Sequence, residues 1–357
     1  MKFKRSVQIG ISLLCCILLV STGTAAAEDK LEISEAVNLV LEENIELKIA
    51  RLELENAKLD YQKSQAENLA TESQSSKLEA ELSLLQARDA YYNNQAQLLQ
   101  EVLNKYTTAL LAQKNVIVKQ KKTELEDLRL DKVKQKLEQG HVNDLEVIEQ
   151  TNDYREAEMN LVEAKDDYQE AIRELKTLIN ASKTTKLELQ NLELNSRWQI
   201  SQNQVVETGF ENNLELQVQA KNIKVLKQNL TKNKQASTPS LDLKKAENKL
   251  KMARLTQENL KKDLENQLYA AYQDFTQVKD RLDLRKNNLE ASRANYNQLT
   301  KKHQQGLASQ EELLAAEEQL ITAEYNYQQA VVNYYKEQLE LKVAMQLEVE
   351  GLIDDWD

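Results

Sequence analysis

From Glu28 to Asp357 the chain holds four glycines, Gly140, Gly209, Gly306 and Gly351, and one proline, Pro239. A β-rich fold would need turn residues every ~8–12 positions, and an average globular chain carries about 7% glycine and 5% proline. So few punctuation marks leave few places for the backbone to reverse. Between them the sequence runs in Ala, Leu, Glu, Lys and Gln, all strong helix formers. The expected fold is all-α, built from long antiparallel helices.

An internal duplication organises those helices into two pseudo-repeats. Asn44, Glu46 and Leu47 match Asn213, Glu215 and Leu216 at an offset of 169. Further on the offset becomes 166: Tyr106 matches Tyr272, Gly140 matches Gly306, Glu146 matches Glu312, and Leu175 matches Leu341. The expected division is a first helical repeat over 28–195, a second over 196–350, and a tail over 351–357. Each repeat opens with a short segment (Ile33–Leu41, Ile200–Phe210) that continues into helix through Asn44 or Asn213. A break follows at Thr71–Ser76 or Ala236–Ser240, the second secured by Pro239. A helix of sixty-odd residues comes next, spanning on the order of 90 Å, over Lys77–Glu138 and Leu241–Gln304.

Each long helix should stop at a glycine. Gly140 and Gly306 stand where a left-handed residue ends a helix, a conformation glycine adopts without a Cβ penalty. Asn143 and Ser309 then read as N-caps of the returning helices, with Glu146 and Glu312 three residues on, as in a capping box. The apolar positions of the last helix, among them Leu313, Leu320, Ala323, Tyr327, Ala330 and Tyr334, follow a narrow coiled-coil-like seam. Such stripes build slender packed helices, not a thick core.

The N-terminus reads as a cleavable secretory signal over 1–27: Lys2, Lys4 and Arg5, an apolar run to Val20, and a small-residue Ala25-x-Ala27 site. Both cysteines, Cys15 and Cys16, fall within it, so the exported chain would carry no thiol. Its removal leaves 44 basic against 58 acidic residues, a net charge of −14. That sign opposes nucleic acid and anionic lipid as partners.

Catalytic and metal-binding motifs are missing. There is no GxGxxG, P-loop, G-x-S-x-G or HExxH. His141 and His303, beside the two turns, do not superimpose in the repeat and read as solvated turn residues. The pairs Glu311/Glu312 and Glu317/Glu318 point to different helix sectors. The paired tyrosines, Tyr91/Tyr92 and Tyr334/Tyr335, read as packing between helices. No catalytic residue, cofactor or metal is expected. Glu146 and Glu312 carry two readings: helix-end stabilisation, or acids ringing the mouth of a pore.

Four segments together carry a family resemblance: LEISEAVNLVLEENIELKIARLELENAK, the turns QGHVNDLEVIEQ and QGLASQEELLAAEEQL, and AEYNYQQAVVNYYKEQLELKVAMQ. In order and spacing they resemble the TolC-type outer-membrane efflux proteins. That resemblance implies a homotrimer whose long helices form a hollow periplasmic cylinder. Turn residues Gly140, Val142, Asn143, Gly306, Leu307, Ala308 and Ser309 would meet the helical hairpin of a periplasmic adaptor from an inner-membrane pump. Glu146 and Glu312 would match the acids lining the family's closed tip. A known tip lock in that family uses an aromatic residue three before the second glycine and an arginine two after it; here those places hold His303 and Ala308. The family also inserts transmembrane β-strands where this chain has only TESQSS and ASTPS, and a membrane strand needs ~9–11 residues. The expectation is therefore a helical cylinder without its β-barrel, exported to the periplasm or envelope and associated with the outer membrane, with a separate outer-membrane partner or with the spanning role lost. The alternative is a non-conducting coiled-coil scaffold or spacer built from the same repeat.

Overall fold

The computed structural model describes residues 30–71, 74–182, 187–194, 197–236 and 238–348. The signal sequence, the tail over 351–357 and the boundary between residues 195 and 196 lie outside the described residues. Eight helices dominate: α1 (Ile33–Glu43), α2 (Ile45–Thr71), α3 (Gln74–Glu138), α4 (Asp144–Leu178), α5 (Gln202–Asn212), α6 (Leu214–Gln235), α7 (Ser240–Gln304) and α8 (Gln310–Ala344). Two two-residue strands, β1 (Lys30–Leu31) and β2 (Glu188–Leu189), pair in parallel.

The helix bounds keep the spacing of the sequence matches. α3 and α7 are both 65 residues long and start 166 positions apart. α4 and α8 are both 35 residues long, again 166 apart. At 1.5 Å per residue the longer pair runs to about 97 Å.

One expectation needs correcting. The helix does not continue through Asn44 or Asn213. Each asparagine leaves helical geometry, with ψ of 122° and 108°, and separates a short helix from a long one. Its side chain then caps the second helix, Asn44 Oδ1 accepting from the Leu47 amide at 2.8 Å and Asn213 Oδ1 from the Leu216 amide at 2.7 Å. An asparagine that can satisfy a free amide favours a break over an uncapped helix interior. At the second long break, Pro239 precedes α7 with φ of −49°. At the first, α2 ends at Thr71 and α3 begins at Gln74, with Glu72 and Ser73 outside the described residues.

The helices form a wall one layer thick. Toward the glycine turns, α4 packs on α3, α3 on α8, and α8 on α7. Toward the other end the order is α2, α3, α6, α7. The wall therefore has one edge made by α2 and α4 and another made by α7. Its thickest packing lies at mid-height, where α1 covers α3 and α5 covers α7. There Trp198, Phe275, Tyr334 and Tyr335 form a run of rings with centroids 5.4–5.6 Å apart. Their polar ends hold the connecting segment. The Trp198 amide donates to the Tyr334 hydroxyl at 2.9 Å, and the Tyr335 hydroxyl to the Glu193 carbonyl at 2.6 Å. The buried Tyr106 hydroxyl lies 2.8 Å from the carbonyl oxygens of Leu31 and Gln190, fastening both strands to α3.

Candidate functional site: the paired glycine turns

Both turns are the same object. Gly140 and Gly306 have φ of 72° and 73°, the left-handed region. The amide after each glycine closes the helix end: His141 donates to Lys136 O at 2.9 Å, and Leu307 to Lys302 O at 2.8 Å. The glycine amides themselves donate to Leu137 O and His303 O, both at 2.9 Å. This double pattern is the Schellman motif, which satisfies carbonyls that a helix end would otherwise leave bare.

The returning helices start at Asn143 and Ser309, each in a complete capping box. Asn143 Oδ1 accepts from the Glu146 amide at 3.2 Å, and Glu146 Oε1 accepts from the Asn143 amide at 3.4 Å. In the second turn Glu312 Oε2 accepts from the Ser309 amide at 2.7 Å and its hydroxyl at 2.8 Å. Bonds from the Ser309 backbone and hydroxyl hold the Glu312 carboxyl below the usual carboxylate range. Both acids are exposed, so capping leaves their charge facing solvent. His303, expected to be a solvated turn residue, is half-buried, and its Nδ1 donates to the Ala308 carbonyl at 2.9 Å, bracing the second turn from inside.

The two turns lie at the same end, and the bonds that show it join Glu311 and Glu317 to basic residues of α3 that the sequence did not single out. Glu311 of α8 reaches α3, accepting from Arg129 Nε at 3.2 Å and Lys132 Nζ at 3.0 Å. Lys132 chiefly, with Arg129, holds the Glu311 carboxyl low against a partial burial that works the other way. Farther from the tip Lys121 pairs with Glu317 at 3.5 Å. Behind these sits Glu126, 5% exposed, which binds Lys122 at 2.6 Å, Arg129 at 2.9 Å and Gln150 of α4 at 2.8 Å. Burial pushes the Glu126 carboxyl up, and those partners outweigh it and hold it low. A buried acid with three donors is the arrangement a buried charge requires. The Gln150–Glu126–Arg129–Glu311 chain thus joins α4, α3 and α8 just behind the turns. Glu311 and Glu312, adjacent in sequence, do point apart, one across to α3 and the other back to its cap.

At the surface of the turns the side chains are small or apolar. Leu307 is 73% exposed, and Val142 and Ala308 are half-buried beside the glycines. No group of three or more His, Cys, Asp or Glu gathers as a metal site among the described residues. No described helix is long and apolar enough to cross a membrane.

A one-layer wall of long antiparallel helices, folded back at two glycine turns on one end, defines the TolC-type fold. Solved structures similar to it include outer-membrane proteins. VceC, the outer membrane protein of Vibrio cholerae, matches with a TM-score of 0.62 at 12% identity, over 88% of this chain and 96% of VceC. The Campylobacter jejuni CmeC outer membrane channel matches at 0.58 and 12% identity, over 91% of this chain and 90% of its own. The open state of the Neisseria gonorrhoeae MtrE outer membrane channel matches at 0.61 and 13% identity, over 88% and 89%. No family model and no curated protein sequence matches this chain.

Proposed function

We propose that this chain is one segment of a hollow helical duct for efflux or secretion, closed by three copies. The observation that carries the reading is where apolar side chains remain exposed. On the α2 edge Ile45, Ile49, Leu52 and Leu59 face solvent. On the α4 edge Leu145, Ile148, Met159 and Val162 do so. On the α7 edge it is Met252, Leu255 and Leu284. Among the described residues the interior strands of the wall carry a single large exposed apolar residue, Ile117 of α3. Apolar stripes at both borders of a sheet-like layer suit a head-to-tail contact between copies, which closes into a ring when the rotation allows.

In that ring the glycine turns form one open rim. Leu307, Ala308 and Val142 offer the small apolar surface that the helical hairpin of a periplasmic adaptor would meet, with Gly140, Asn143, Gly306 and Ser309 setting the turn shape. Glu146 and Glu312 give the rim negative charge. Substrate delivered by an inner-membrane pump would pass along the lumen passively, without chemistry by this chain. The two halves of the wall would derive from one duplicated unit, exported by the leader over 1–27.

The assembly is testable by crosslinking. Val162 and Leu284 each stand 22 residues from their own glycine, close to one height on opposite edges. The exported chain without cysteine accepts Val162→Cys with Leu284→Cys cleanly. Oxidation should link copies into a closed trimer on a denaturing gel, and the native mass should be that of three chains. A monomeric or dimeric mass would remove the duct and leave the scaffold.

A further inference from the structure

The net charge of this chain conceals its opposite at one place. Residues 224–254, the hairpin of α6 and α7 at the end away from the glycine turns, hold nine basic residues against Asp242 and Glu247. On α6 these are Lys224, Lys227, Lys232 and Lys234, and all four are exposed. On α7 they are Lys244, Lys245, Lys249, Lys251 and Arg254, and all five are exposed. Both acids are already engaged, Glu247 by Lys234 at 3.2 Å and Asp242 by Lys245 at 3.8 Å. The hairpin therefore carries a net +7 within about 20 Å of its tip, in a chain whose total is −11.

Folding does not require this charge. The corresponding stretch of the first half, residues 55–88, has four basic and six acidic residues, and there α2 packs on α3 as α6 packs on α7. Concentrated like charge also repels itself, so it persists best where an anionic partner compensates. Leu241, in the first turn of α7, adds an apolar group that is 76% exposed at the tip.

We propose that the α6–α7 tip docks on an anionic membrane surface, with its lysines over the phosphate headgroups and Leu241 entering the interface. The composition favours lipid over other polyanions. The segment has no aromatic side chain on which a base could stack. It has one arginine against eight lysines, compact point charges that suit a diffuse headgroup layer better than two-pronged recognition of one acidic protein site. Such a surface would serve a scaffold as well as a duct. The opposition to anionic lipid expected from the total charge fails locally, because screening confines each charge to ~8–10 Å and a partner feels only the tip it touches.

The test is sedimentation of the exported protein with vesicles of phosphatidylcholine, alone or with about a third phosphatidylglycerol. Binding should need the anionic lipid and fall with salt. Each lysine near a charged surface contributes about fivefold to partitioning. Lys244→Glu with Lys245→Glu, within about 8 Å of the start of α7, should therefore cost at least about twenty-five-fold. Lys224→Glu with Lys227→Glu, about 12–17 Å back along α6 and so beyond the screening length, should cost less than that pair. Lys301→Glu with Lys302→Glu, at the glycine end, should leave binding unchanged, and circular dichroism should report the same helix content throughout. Equal binding to neutral vesicles, or full binding by the reversed hairpin, overturns the proposal. So does capture of soluble polyglutamate without any binding to vesicles, which would assign the tip to an acidic protein.

Discussion

Substitution at Gly306 separates two reasons for a glycine. Its φ is 73°, and a Cβ built on it meets no atom within 4 Å. Nothing crowds the position, so the cost of a side chain there is the cost of left-handed backbone. For an ordinary L-residue that is about 1–2 kcal/mol. Asparagine tolerates the region and should recover most of the loss, whereas a β-branched residue is a true outlier. The expected order of stability is Gly, Asn, Ala, Val. Gly209 of α5 reverses the logic. It sits in helix, and a Cβ there would lie 2.5 Å from Leu268 Cδ1 and 3.2 Å from its Cγ, on a side chain with no exposure. Space decides at that site, so Ala should be tolerated better than the larger Asn. Urea unfolding of both series, with helix content followed by circular dichroism, reads the two orders directly. If Gly306→Asn proved as costly as Gly306→Val, the left-handed turn would not be what the glycine is for.

Two further outcomes follow from the packing and the charges. Gly209→Ala should cost about 1–3 kcal/mol as overpacking, and Leu268→Ala in the same chain should recover part of it in a double-mutant cycle. Acid should loosen the tip: the Glu311 carboxyl is held below its unfolded value, so its bonds to Lys132 and Arg129 are fully present above ~4.3 and are lost as pH falls through the lower folded value. Hydrogen-exchange protection of the first turn of α8, relative to the intrinsic rate at each pH, should fall below about pH 4, and Glu311→Gln should show that low protection at neutral pH.

The long-range frame was legible because it depends on sparse, strong signals. Gly140, Gly306 and Pro239 stand alone in helix-forming sequence, and a capping box follows each of those glycines. What escaped depends on partners far away in sequence. Glu126 looks like any exposed helix acid until α4 brings Gln150 to it. Gln346 shows the same limit. Its φ is 48°, strained for a non-glycine residue, and it ends α8 with the bonding pattern of the glycine turns, the Leu347 amide donating to Lys342 O at 3.1 Å. Glycine would fit that backbone better, but it has no side chain to accept from the Leu214 amide at the start of α6, as Gln346 Oε1 does at 2.6 Å. The two asparagine breaks escaped for a different reason. Their side chains can cap a helix, but the sequence reading ran helix through both asparagines.

A wall one helix thick also explains why the exposed apolar residues fall where they do. Away from mid-height, where α1 and α5 add cover, each strand of the layer can bury side chains only against its lateral neighbours, because its other two faces meet solvent. The interior helices α3, α6 and α8 find neighbours on both sides within the chain. The bordering helices α2, α4 and α7 find one, and in the proposed ring a second copy would cover the apolar residues of their open sides. Two copies facing each other across one edge would still leave two edges bare, so the stripes favour a closed ring over a dimer. Val162→Glu on the α4 edge should then leave the fold of each chain intact, since that side chain is 59% exposed within it, while lowering the native mass to that of one chain.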